Sequence, residues 1–100
     1  MNVNVSAETS IKLEEITFCK YKLTTVNKEI LLTFPQLLQL RNAIVKLTHP
    51  ESLYEIIDRE NFVLLFVADK QHLIYLDIPQ LLLLRDTIDS FFCNTKSVLI

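Results

Sequence analysis

Two arginines, Arg41 and Arg85, hold matching places in a motif that occurs twice. The first copy is Thr33-Phe34-Pro35-Gln36-Leu37-Leu38-Gln39-Leu40-Arg41. The second, 44 positions later, is Asp77-Ile78-Pro79-Gln80-Leu81-Leu82-Leu83-Leu84-Arg85. At about 100° per residue, Leu37, Leu40, Ile44 and Leu47 form one helical ridge, Leu38 and Val45 flank it, and Arg41 falls between. Arg85 falls likewise between Leu82 and the ridge of Leu81, Leu84 and Ile88. A guanidinium inside an apolar arc requires a carboxylate, another anion or backbone carbonyls. One reading is a small-molecule or anion-binding site built from both arginines. The other is a pair of snorkelling stems whose heads pair with Glu14, Glu15, Glu29 or Asp77. The second is favoured because such partners are plentiful in the chain.

The remaining chemistry-bearing residues do not converge. His49 falls at the end of the first helical run, where a cation suits the helix dipole, and His72 falls in a hairpin. Neither has a Cys or His at ligand spacing, so no metal is expected. Cys19 falls in a strand and Cys93 just past the second helical run, each without the neighbouring base that a nucleophile needs. Glu14 and Glu15 are adjacent, and on a strand adjacent side chains point to opposite faces. With no nucleophile–base set, the chain reads as no enzyme and requires no cofactor. Glycine is absent from all 100 residues, which excludes the phosphate-cradling glycine loops. It also leaves Asn and Asp to supply left-handed turn residues.

Charge and composition narrow the partners. The formal net charge is −2, and only Lys20, Lys22 and Lys28 cluster, so nucleic-acid binding through phosphate contacts is disfavoured. Half of the residues are hydrophobic and 22% are charged, the balance of a globular chain and not of a disordered one. The opening residues lack a basic stretch followed by an apolar core, so they read as no signal peptide. The longest nearly apolar run, residues 73–84, is broken by Asp77, Pro79 and Gln80 and falls well short of the ~20 residues that span a bilayer. Two cysteines without a disulfide framework point to a cytoplasmic protein.

The elements that must position these residues follow from period and punctuation. Residues 12–23 alternate as a strand with Thr17, Cys19, Tyr21 and Leu23 on one face. Residues 24–28 read as a turn with Asn27 left-handed, and residues 29–33 as the partner strand. Thr33-x-x-Gln36 has capping-box spacing, with Pro35 in the first turn, and predicts a helix to about Thr48, ahead of Pro50. Residues 50–58 fit either a short helix or a strand, and their spacing favours a helical turn leading into the next strand. Residues 62–68 and 72–76 form a second hairpin. Asp77-x-x-Gln80 caps a second helix to about Phe92, followed by a loop at 94–97 and an apolar tail. At the 44-residue offset Phe18 matches Phe62, Ile30 matches Ile74, Leu32 matches Leu76 and Ile44 matches Ile88.

The expectation is therefore one α+β domain over residues 1–100, made of two tandem ββα repeats. Repeat 1 covers about 11–48, the connector 49–60, repeat 2 about 61–93 and the tail 94–100. The expected architecture is an antiparallel sheet with two helices on one face, related by a pseudo-twofold axis. An apolar hairpin running into a capped Pro-Gln-Leu-Leu-x-Leu-Arg helix resembles small bacterial ββα-repeat domains of unknown function. That resemblance covers most of each repeat and implies a fold without implying an activity.

Apolar excess sets the second repeat apart. Phe62, Leu64 and Phe66 alternate with Val63, Leu65 and Val67, so both faces of the strand are apolar. The offset places Leu64 and Phe66 where repeat 1 has Lys20 and Lys22, and Leu83 where it has Gln39. A sheet covered by helices on one face shows water on the other, so this second face requires a cover, either the connector or tail of the same chain or, the favoured reading, another chain. The favoured function is a non-enzymatic protein-interaction module, homodimeric through Leu64, Phe66 and Leu83, with another protein as a further possible partner. The alternative is the anion site at Arg41 and Arg85.

Overall fold

The computed structural model describes the backbone of residues 11–25 and 28–99, and side chains as far as Cys93. The elements in chain order are β1 (Lys12–Thr17), β2 (Lys20–Thr24), β3 (Glu29–Thr33), α1 (Phe34–Leu47), α2 (Pro50–Asp58), β4 (Phe62–Val67), β5 (His72–Asp77) and α3 (Ile78–Leu99). The fold is α+β. Its strands form two antiparallel sheets, β1-β2-β3 and β4-β5, where the sequence pattern had suggested one.

The run 12–23 is two strands, not one. The chain turns at Phe18 and Cys19, so that Thr17 pairs with Lys20 and Leu13 with Leu23. Cys19 takes φ 61, a left-handed conformation that costs a non-glycine residue roughly 1–2 kcal/mol. The ladder between β1 and β2 and the seating of Ile11 and Leu13 on the core oppose that cost. A bulge between Glu15 and Thr17 adds to the bend. On β2, Tyr21 and Leu23 are buried, opposite Leu32 and Ile30 of β3, while Lys22 lies opposite Leu31 on the outer face.

Both helix starts are closed capping boxes. The Gln36 N–H donates to Thr33 Oγ1 at 3.3 Å, and the Thr33 N–H donates to Gln36 Oε1 at 2.9 Å. The Gln80 N–H donates to Asp77 Oδ1 at 2.9 Å, and the Asp77 N–H donates to Gln80 Oε1 at 3.0 Å. Each box satisfies two amides that a helix end leaves unpaired. Asp77→Ala is expected to lower stability by about 1 kcal/mol. Urea unfolding that gives an unchanged midpoint would show the cap to be dispensable.

Helix α1 ends where Thr48 donates through Oγ1 to the Ile44 carbonyl at 2.8 Å, two residues before Pro50. The connector is helical from Pro50 to Asp58 as α2, with Leu53 and Ile56 packed on the core. Asn61, at φ 68, reverses the chain, its N–H donating to the Ile56 carbonyl at 2.8 Å. Helix α3 does not stop near Phe92 but continues to Leu99. No proline or glycine follows Phe92, and Asn94 is a weak helix former without being a breaker. Cys93 accordingly stands within α3.

The β4–β5 turn carries Ala68, Asp69 and Lys70 in succession at φ 59, 57 and 70. Asn and Asp do supply left-handed residues here, at Asn61 and Asp69, but Cys19, Ala68 and Lys70 do so as well. The turn at 26–27, including Asn27, lies outside the described residues.

One core joins both sheets. Leu23, Ile30, Leu32, Leu37 and Ile44 from the first half lie with Ile74, Leu76, Leu81, Leu84 and Ile88 from the second, all at 5% exposure or less. Helix α1 packs on β2, β3 and α3. Helix α3 packs on β5 and also on β1, and α2 packs on α1 and β4. Among the described residues, two polar links cross between the halves. Lys28 Nζ donates to the Leu73 carbonyl, and Gln36 Nε2 donates to Asp69 Oδ2, both at 2.8 Å.

Candidate functional site

Alternation along β4 divides its residues by face. Val67 is buried and Val63 and Leu65 pack against the core, leaving Phe62, Leu64 and Phe66 for the outer face. Opposite them on β5, Leu64 pairs with Tyr75, Phe66 with Leu73 and Phe62 with Asp77. Leu64 is 59% exposed, Phe66 59%, Tyr75 58% and Leu73 40%. The Phe62 and Tyr75 rings meet at 4.9 Å between centroids, which gives one end of this surface a fixed shape. Among the β4 and β5 residues of this face, Asp77 at its end is the one that carries a charge, and its carboxylate accepts from the α3 N-terminus.

The other sheet shows a different outer face. There Lys20 lies opposite Thr33, Lys22 opposite Leu31 and Thr24 opposite Glu29, with Glu14 beyond Lys22. Leu31 is exposed among these charged neighbours.

Pairing also corrects the match between the two hairpins. Lys20 lies opposite Thr33, the cap of α1, and Phe62 lies opposite Asp77, the cap of α3. Phe62 therefore corresponds to Lys20, Leu64 to Lys22 and Phe66 to Thr24. Each is two residues away from the match that sequence offset suggested. The second hairpin is longer by one pair, Val67 with His72, and this absorbs the difference. A two-residue shift leaves every side chain on the same face, so the contrast between the faces survives it. Phe18, matched to Phe62 by offset, instead sits at the β1–β2 turn and is 88% exposed.

Of the three residues expected to share a contact surface, Leu64 and Phe66 lie together. Leu83 does not join them. It is half-buried on α3 and packs against the core. Its place in the helix surface, not on the sheet, decides this. Leu73 and Tyr75 were not singled out from sequence. The signal for them was the alternation in His72-Leu73-Ile74-Tyr75-Leu76, which sends Leu73 and Tyr75 away from buried Ile74 and Leu76.

The arginines take separate partners. The Arg41 guanidinium lies over the Phe92 ring, with Cζ 4.9 Å from its centroid, and its buried Nε has no hydrogen-bond partner. Such a stack contributes roughly 0.5–2 kcal/mol. Arg85 donates through Nε and Nη2 to Asp86 Oδ1, at 3.2 and 3.0 Å. None of Glu14, Glu15, Glu29 or Asp77 pairs with either, because the nearest groups are an aromatic ring across the helix interface and the next residue in the same helix. Phe92 lies seven residues beyond Arg85 on α3, about 10 Å along its axis.

Other titratable groups are dispersed. Exposed His49 precedes α2 as its N-cap without a side-chain capping bond, and His72 opens β5. Among the described residues, no three His, Cys, Asp or Glu side chains are grouped to hold a metal. Burial first, then the charges of Glu15 and Cys19, hold the Tyr21 phenol above the ordinary tyrosine range. Tyr21 packs edge-on to Phe91 at 5.7 Å. No helix among the described residues is long and apolar enough to cross a membrane.

Beside the β4 edge away from β5 lies a groove of about 400 Å³. Residues 62–65 line one side of it, and Glu55, Ile56, Arg59 and Glu60 line the other. The chain matches no family model, no curated protein and no solved structure.

Proposed function

We propose that this protein is a non-enzymatic interaction module that works as a homodimer, with the outer face of β4–β5 as its contact surface. The observation that carries this reading is the exposure of Leu64, Phe66, Leu73 and Tyr75 on one continuous face. Large apolar side chains gathered in this way are the mark of a contact surface, whereas scattered ones are ordinary. Side chains of this size carry roughly 150–250 Å² each. With about half of that exposed, the four side chains offer about 300–500 Å² per copy. Two copies then approach the roughly 1,000 Å² that a stable contact needs. A twofold pair needs only one self-complementary patch.

Within this reading the two ββα segments are tandem repeats about a pseudo-twofold axis, with the second specialised for contact and the protein placed in the cytoplasm. Matching capping boxes at Thr33 and Asp77 support the repeat. An anion or small-molecule site at Arg41 and Arg85 is the second reading, favoured by the unpartnered Arg41 Nε. The separate partners of the two arginines weigh against it. Light scattering at micromolar concentration tests the homodimer. The expected mass is about twice the 11.7 kDa of the chain, and a value near 11.7 kDa would remove the proposal.

A further inference from the structure

We infer that the open edge of β4 takes up an extended peptide in which apolar and basic residues alternate. β4 pairs with β5 on one side only, and among the described residues no strand lies along its other edge. The groove follows that edge. Four consecutive residues, 62–65, line it, and consecutive strand residues point to opposite faces. A cavity lined by both sets therefore lies beside the strand, in the plane where backbone amides and carbonyls await partners.

Among the open sheet edges, those of β1 and β4 are treated differently. β1 carries Lys12, Glu14, Glu15 and a bulge, the features that prevent strand addition. β4 reads Phe-Val-Leu-Leu-Phe-Val, with no charge, proline or bulge. An added strand would gain main-chain hydrogen bonds along this edge and place alternate side chains on the two faces.

The facing wall sets the charge of the occupant. Glu55 of α2 stands in the groove with Arg59 and Glu60, which follow that helix, and Glu51 and Asp58 are exposed on α2 itself. Among the described residues Glu55 and Glu60 have no ion-pair partner. Apolar strand residues below and a net acidic helix beside them fit a strand whose alternate residues are Lys or Arg.

This site shares Phe62 and Leu64 with the outer face of the sheet, but its charge selectivity comes from Glu55 and Glu60, so the charge-reversal arm tests it apart from the homodimer. The probe is a fluorescein-labelled, capped peptide of three Val-Lys repeats, compared with the same peptide in which glutamate replaces lysine. Anisotropy is expected to show saturable binding of the lysine peptide, weakened about tenfold or more (1.4 kcal/mol per tenfold) by Glu55→Lys with Glu60→Lys. Both glutamates are exposed, so circular dichroism of the double variant is expected to match the unmodified protein. Hydrogen exchange is expected to slow at β4 amides when the lysine peptide is added. Equal binding of the two peptides, or binding indifferent to the charge reversal, overturns the inference. So does protection of β4 that rises with protein concentration in the Phe66→Lys variant, whose outer face no longer pairs, which assigns the edge to a second copy.

Discussion

Phe66→Lys is expected to give a folded monomer. Phe66 lies on the outer face with more than half of its surface in water, so in a single chain the lysine stem lies along Leu73 and the ammonium reaches solvent. In the dimer the same ammonium is enclosed between two apolar faces, where an unpaired ion costs several kcal/mol. The dissociation constant is therefore expected to rise by at least about 100-fold, since each 1.4 kcal/mol is a factor of ten. Light scattering is expected to fall to the mass of one chain, with far-ultraviolet circular dichroism unchanged. Lys22→Glu, on the outer face of the other sheet, is expected to leave the mass alone. A dimer that survives Phe66→Lys would show that this face is not the contact. Leu83→Lys is not an equivalent test, because Leu83 packs on the core and its replacement disturbs the fold first.

Leu84→Ala is expected to cost about 2–5 kcal/mol of stability, the range for removing a buried leucine where the surroundings close only in part. Leu84 is fully buried on α3, and its counterpart Leu40 on α1 is 4% exposed. A domain of this size has a total stability of about 5–15 kcal/mol, so the loss is a large share of the whole. Because both residues belong to one core that spans both sheets, Leu84→Ala and Leu40→Ala are each expected to shift a single urea transition without changing its slope. Two separate transitions would mean that the halves fold apart. A loss below about 1 kcal/mol would mean that Leu84 is less constrained than its burial indicates.

Several elements were legible because their causes are local. A hydroxyl or carboxylate three residues before a glutamine, with proline in the first turn, determines a helix start through bonds that close within four residues. Both starts lie where Thr33 and Asp77 predict them. The ridge of Leu37, Leu40 and Ile44 and that of Leu81, Leu84 and Ile88 follow from helical period, and all six side chains are buried. The apolar outer face of the second hairpin was likewise visible as alternation, a property of each strand by itself.

What the sequence alone determined, then, was helix starts, buried ridges and the two apolar faces of β4. Tertiary structure decided how the strands meet. Nothing local marks the turn at Phe18 and Cys19, since a left-handed cysteine forms only when pairing of β1 with β2 opposes its cost. The same holds for Ala68 and Lys70, and so for the extra pair that shifts the second hairpin by two residues. Residues 50–58 were ambiguous because nine residues are too few for period to separate helix from strand. Packing of Leu53 and Ile56 on the core settles them as a helix. Arg41 and Arg85 occupy like positions in two copies of one motif, yet one meets Phe92 and the other Asp86. A side chain's partner depends on which surface faces it, and that is fixed only when the helices pack.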